Sequence, residues 1–177
     1  VDPNLVVSLM SQESRGKTRA KSWADARGPM QLMPGTARKL GVTDVYDPEQ
    51  NIDAGVRYLR SLIDRFGDDE QGLKKSIAAY NLGPDSKILQ SKDWWNKLQY
   101  ASNDKEVQQG RKPRGPSDKT NTQNYVKNIW SNYMKGGAPT VMNYEISEDT
   151  AKLAKRLFGS PSRQTAAKAA KLIPESG

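Results

Sequence analysis

DPEQNIDAGVRYLRSLIDRFG, residues 47–67, reads as an amphipathic helix with both ends marked. Asp47 is a capping residue, Pro48 suits the first helical position because the N–H it lacks would go unused there, and Gly67 is a stop. Between them Ile52, Val56, Leu59, Leu62, Ile63 and Phe66 recur at helical spacing, so one face is apolar and other elements must cover it. The stretch predicts a buried helix in a mainly α chain.

Towards the N terminus the same signals recur. Asp2-Pro3 opens a helix over residues 2–14 that aligns Leu5, Val6, Leu9 and Met10, with Gly16 as its stop. Pro34 opens a short helix to Leu40, with Arg38 and Lys39 in its last turn and Gly41 just beyond. On the other side, Leu73, Ile77 and Tyr80 keep helical spacing until Asn81-Leu82-Gly83-Pro84 turns the chain, which leaves Tyr80 and Asn81 at a helix end. Ser102 to Gln123 is polar, carries Gly110, Pro113, Gly115 and Pro116, and reads as a long loop. Tyr125, Val126, Ile129, Trp130 and Tyr133 restore a helix. Gly136-Gly137-Ala138-Pro139 marks a boundary, followed by helices over residues 147–158 and 162–173. No alternating run predicts a strand. The expected architecture is a helical domain over residues 1–136 with a basic helical extension over residues 137–177.

The 177 residues suffice to bury a core without disulfides. Cysteine and histidine are both absent. That excludes thiol nucleophiles, Ser-His-Asp and Cys-His arrangements, and metal sites built on either residue, so proton transfer falls to carboxylate, Tyr, Lys or water. No apolar run approaches the roughly 20 residues of a membrane span. The chain begins with Val1 and carries no signal-peptide pattern, which suits a processed product or a piece of something longer. Of the net charge of +8, none lies in residues 1–85, and residues 86–177 hold 16 Lys/Arg against 8 Asp/Glu. This asymmetry suits a polyanionic partner such as nucleic acid or an anionic envelope surface, and equally a solvated lysine-rich face.

Carrying the first helix forward at about 100° per residue places Glu13 about 40° from Leu9 and about 20° from Val6, inside the apolar stripe. Burial disfavours the ionised carboxyl and raises its pKa, which a general acid near neutral pH requires. A glutamate at a fraying helix end, reaching water or pairing with Arg15 or Lys17, is the structural alternative.

Three blocks occur in order: Glu13-Ser14, then Gly28-Pro29-Met30-Gln31-Leu32-Met33-Pro34-Gly35-Thr36-Ala37, then Ala78-Ala79-Tyr80-Asn81-Leu82-Gly83-Pro84. Together they resemble the soluble lytic transglycosylase family, the goose-lysozyme-like enzymes that cleave peptidoglycan, over about residues 1–135. The resemblance implies a lysozyme-like helical fold with Glu13 as general acid/base, Ser22, Gln31 and Met33 lining a sugar cleft, and Tyr80 near the catalytic carboxyl as a further substrate-binding residue, able to hydrogen-bond a carboxyl or sugar. Gln31 can exchange hydrogen bonds with sugar hydroxyls or acetamido groups, and Met33 offers an adaptable apolar contact. A loop-stabilising Gln, a core Met and a core Tyr are the alternatives. Asn81 and Gly83 read as helix terminators that hold Tyr80 in place. Trp23, Trp94, Trp95 and Tyr100 could stack on sugars, and helix packing explains each equally well.

Three positions depart from the family pattern. Asp25 stands where the family has glycine, Pro29 where it has leucine, and Asn121 where a Glu-Thr-Arg-x-Tyr-Val stretch has its acid. Asp25 could supply a second cleft carboxylate or be a solvated loop residue. The mechanism implied by the resemblance uses one carboxylate and no metal or other cofactor. Glu13 protonates the oxygen between MurNAc and GlcNAc, the acetamido group assists at C1, and Glu13 then takes the C6 hydroxyl proton as a 1,6-anhydro sugar closes. Two rivals are a hydrolytic muramidase, with Asp25 positioning water, and a basic virion or nucleic-acid-binding module on an inactive fold. The expected partner is the peptidoglycan strand, in the periplasm or the extracellular wall, with virion association as a further setting.

Overall fold

The structure, a computed structural model, describes residues 1–102 and 121–136. The helices expected at 137–177, and most of the loop expected between Ser102 and Gln123, lie outside the described residues.

Local signals account for the helices. In α1 (Pro3–Ser14) the Asp2 carboxylate accepts from the Asn4 N–H at 2.8 Å, and Leu5, Val6, Leu9 and Met10 are buried. α2 (Pro34–Lys39) starts at its proline. α3 (Pro48–Phe66) is capped by Asp47, which accepts from the Gln50 N–H at 2.8 Å, and it buries Ile52, Leu59, Leu62 and Ile63 as the periodicity requires. α4 (Glu70–Leu82) is capped by Asp69, and at its end the Gly83 N–H returns to the Ala79 carbonyl. Two 3₁₀ turns at Lys87–Gln90 and Leu98–Tyr100 flank the one-turn α5 (Trp94–Lys97). No sequence period marks these pieces, because each is too short to repeat one.

The last described helix, α6 (Thr122–Met134), begins earlier than expected: Thr122 and Gln123 are helical and buried rather than part of a loop. Three nonlocal hydrogen bonds hold this end. The Thr122 N–H donates to the Ala101 carbonyl at 2.7 Å, its hydroxyl donates to Asn81 Oδ1 at 2.8 Å, and the Gln123 amide donates to the Trp95 carbonyl at 2.9 Å. Asn81 thus sits inside the last turn of α4 and ties α4 to α6. Termination falls to Gly83, whose φ of +87° favours glycine.

α3 packs on α4, α4 on α6 and α6 on α1, enclosing a core that includes Leu5, Leu9, Leu59, Ile77, Leu98 and Ile129. The segment between α1 and α2 makes two isolated antiparallel bridges, Lys21 with Arg27 and Arg27 with Leu32. Among the described residues no strand extends beyond these, so the chain is mainly α as expected.

Candidate active site

Glu13 lies in the last turn of α1, on the wall of an open cleft of about 760 Å³. The cleft is bounded by the end of α1, the 22–33 segment, Tyr58 of α3, the end of α4 and the start of α6. Glu13, Ser22, Gln31, Met33, Tyr80 and Asn81 all line it, so the fold brings the six residues singled out from the sequence to one place.

The Glu13 carboxyl is enclosed by protein while its side chain keeps a partial face to the cleft. Burial pushes its pKa up to about 7, against the hydrogen bond from the Tyr125 hydroxyl to Oε1, which pulls the other way. Burial also lifts the Tyr125 and Tyr80 hydroxyls well above the ordinary tyrosine range, and the nearby Glu13 charge adds to this, so both remain protonated donors at neutral pH. The backbone of Arg15 caps α1 in the left-handed region at φ 56°.

Tyr80 is close enough for the Glu13 charge to act on it, but its hydroxyl donates to the Met30 carbonyl at 2.8 Å. Tyr125 makes the contact with the carboxyl. Sequence reasoning read Tyr125 only as a helix residue; the available signal was its place in the Asn121–Val126 stretch, four residues after the altered acid. Asn121 itself caps α6, accepting from the Asn124 N–H at 2.8 Å, a role in which Asn serves as well as an acid.

A second missed residue is Asn51, fully buried on α3. Its Oδ1 accepts from the Met30 N–H at 2.8 Å, and its amide donates to the Arg27 carbonyl at 3.0 Å and the Val45 carbonyl at 2.9 Å. α1 grips the same loop through the Ser14 hydroxyl, which donates to the Pro29 carbonyl at 2.7 Å. Two glycines permit this packing. A Cβ on Gly28, at φ +78°, would stand 2.3 Å from the Asn51 amide nitrogen, and one on Gly55 would stand 2.6 Å from the Met30 side chain.

Held in this way, Gln31 adopts φ 49°, and its amide donates to the Gly28 carbonyl at 2.8 Å and the Ala20 carbonyl at 3.2 Å. Both donors serve the loop, so the group it can offer the cleft is its carbonyl oxygen. The Ser22 hydroxyl accepts from the Ala26 N–H at 3.0 Å. Met33 caps α2 and is 45% exposed, which excludes the core role.

Asp25 keeps the positive φ, 69°, that explains a glycine at this position, and Asp is among the residues that tolerate it. Its carboxylate pairs with Arg27 at 2.7 Å and Lys21 at 3.1 Å, and Arg27 holds its pKa below the usual range with help from Lys21. Ala24 and Ala26 line the cleft on either side, whereas Asp25 does not. Of the two readings of Asp25, the geometry fits the loop residue rather than a second cleft carboxylate. Among the described lining residues Glu13 is the one carboxylate.

The buried carboxyl has a consequence for stability. Its pKa is raised from 4.5 to about 7 on folding, so its contribution is fully present below about pH 4.5 and is lost as pH rises through about 7. The loss amounts to at most about 3 kcal/mol. Glu13→Gln, which cannot ionise, should therefore gain stability relative to the parent between pH 4.5 and 8, measured by denaturant unfolding of both proteins. Parallel pH profiles would show that the carboxyl is solvated.

A family model described as the transglycosylase SLT domain matches residues 1–107. The chain is 46% identical over 83 residues to a transglycosylase of Enterobacteria phage PRD1, covering 47% of this chain and 30% of that protein. It is 42% identical over 85 residues to membrane-bound lytic murein transglycosylase F of Vibrio campbellii, covering 46% of this chain and 16% of that protein. Among solved structures, the 70 kDa soluble lytic transglycosylase of Escherichia coli superposes with a TM-score of 0.53 at 25% identity, covering 76% of this chain and 21% of that one. An inactive mutant of the lytic transglycosylase Slt from Pseudomonas aeruginosa gives 0.52 at 29% identity, with the same coverage. The lysozyme-like helical fold expected from the sequence is borne out by these two structures. The chain spans less than a third of the length of the relatives it matches.

Proposed function

The chain belongs to the transglycosylase SLT domain family, and on that premise we propose that it is a peptidoglycan lytic transglycosylase with Glu13 as its single acid and base. The observation that carries this reading is a protein-enclosed carboxyl with a pKa of about 7, facing a cleft with no second carboxylate among its described lining residues. Near neutral pH such a group is protonated often enough to give a proton and ionised often enough to take one back.

In the proposed sequence the bond between MurNAc C1 and the GlcNAc oxygen breaks as Glu13 protonates that oxygen. The acetamido oxygen of MurNAc meanwhile bonds to C1. The C6 hydroxyl then displaces it, giving its proton to Glu13 and closing the 1,6-anhydro ring. Glu13 ends protonated as it began, and no water is consumed. The hydrogen bond from Tyr125 keeps one carboxyl oxygen occupied and leaves the other for the sugar. The Gln31 carbonyl oxygen and the Ser22, Met33 and Tyr80 side chains serve as the glycan-contacting wall, Tyr80 with its hydroxyl bonded to the Met30 carbonyl, and Asn81 supports the site by tying α4 to α6. The wall is the expected place of action, and a relative from a phage fits a virion-borne role.

The product decides between this route and hydrolysis. A C6 hydroxyl held beside C1 has an effective molarity on the order of 10⁵ M or more and outcompetes water, so digested sacculi should yield muropeptides ending in 1,6-anhydroMurNAc. Mass spectrometry separates these from hydrolytic products by one water, and borohydride reduces only the latter. Predominantly reducing MurNAc ends would overturn the transglycosylase reading.

A further inference from the structure

Of the four aromatic side chains that could stack on sugars, only one is both exposed and in the cleft. Trp94 is 7% exposed and belongs to the core, and Trp95 packs against that core. Tyr100 is 61% exposed but is not part of the cleft wall. Trp23 is 50% exposed and lines the cleft beside Ser22 and Ala24. We propose that Trp23 is a stacking platform at the cleft mouth for the apolar face of a pyranose ring of the glycan strand. This rests on reading the cleft as a glycan site.

The turn that carries Trp23 is built to hold it still. The Asp25 N–H donates to the Ser22 carbonyl at 3.1 Å, the Ser22 N–H to the Ala26 carbonyl at 2.9 Å, and the Ala26 N–H to the Ser22 hydroxyl at 3.0 Å. The Asp25 pairs with Lys21 and Arg27 clamp the base of the turn, and the Gly28 N–H donates to the Ala20 carbonyl at 2.9 Å below it. The half of the ring left in water contributes nothing to folding, since exposed apolar area stabilises only when something covers it. Pyranose rings present a face of C–H groups, and an indole offers a broad apolar surface at small entropic cost because its turn is already ordered. Met33, also exposed in the cleft, adds a second apolar contact for the same strand.

The test uses Glu13→Gln protein titrated by calorimetry with a β-1,4-linked hexasaccharide of GlcNAc, alongside release of soluble muropeptides from sacculi by proteins with Glu13 intact. Trp23→Ala should weaken saccharide binding about tenfold and abolish most of the saccharide-induced change in tryptophan emission. Trp23→Phe should recover most of the affinity, and Tyr100→Ala should bind as the parent does. On sacculi the Trp23→Ala defect should appear at limiting substrate and shrink towards saturation. Saccharide binding by Trp23→Ala equal to that of its Glu13→Gln parent would overturn the platform and leave the proposed function standing. If the Glu13→Gln protein binds no saccharide and the parent leaves sacculi intact, the functional reading falls, and the platform with it.

Discussion

Glu13→Gln is expected to fold as the parent does and to lose turnover of purified sacculi by about 10²–10⁴-fold. The amide matches the carboxyl in shape, and its oxygen can still accept from the Tyr125 hydroxyl, so the wall of the cleft is kept. It can neither protonate the leaving oxygen nor take the C6 proton. The loss should be nearly complete because no other carboxylate among the described lining residues can substitute for it. Clearance at the parent rate by a folded Glu13→Gln protein would remove Glu13 as the catalyst. Stability measured on the same protein gives an independent reading, since this substitution should make it more stable than the parent above pH 7 rather than less.

Asn51→Leu is expected to cost about 3 kcal/mol, because it strips the partner from the Met30 N–H and from the Val45 carbonyl at a fully buried position, while the Arg27 carbonyl keeps its bond from the Leu32 N–H. Each buried polar group left unpaired costs about 1–3 kcal/mol, and a leucine, branched at the same carbon but bulkier, satisfies none of them. Against a typical stability of about 5–15 kcal/mol this is a large fraction, and a chain of this size should melt about 10 °C lower. Amide exchange at Met30 should accelerate more than exchange in α3, since the loop is released before the helix. Melting and Met30 exchange unchanged from the parent would show that the Asn51 clamp is dispensable. Loosening this loop also loosens Gln31, Met33 and the turn that carries Trp23, so activity should fall beyond what the reduced folded population explains.

Short-range physics controls the features of the fold that are readable from residue order. Asp2-Pro3 and Asp47-Pro48 start helices because a cap and a proline act within one turn, and Gly83 ends one because its own φ is positive. The helical repeat places Glu13 within the apolar stripe of α1 but leaves a fraying-end glutamate as the alternative, and the motif blocks single Glu13 out; burial sets its pKa. The three motif blocks added the family and contain Glu13, Gln31, Met33, Tyr80 and Asn81, while Ser22 came from the resemblance outside them.

Tertiary structure decided the partners. Tyr125 reaches Glu13 across 112 positions and Asn51 reaches Met30 across 21, and no local pattern encodes which hydroxyl or amide arrives at such a meeting. The Tyr80 hydroxyl went to the Met30 carbonyl and Tyr125 to the carboxyl because α6 packs on α1, whereas α4 packs on α3 and α6. Asp25 left the cleft because Arg27 and Lys21 lie within reach on its own turn, an outcome that depends on the left-handed φ of 69°. Of several aromatics with equal claims on paper, Trp23 alone combined exposure with a place on the cleft wall, because exposure is a property of how helices pack and not of the residue that is exposed.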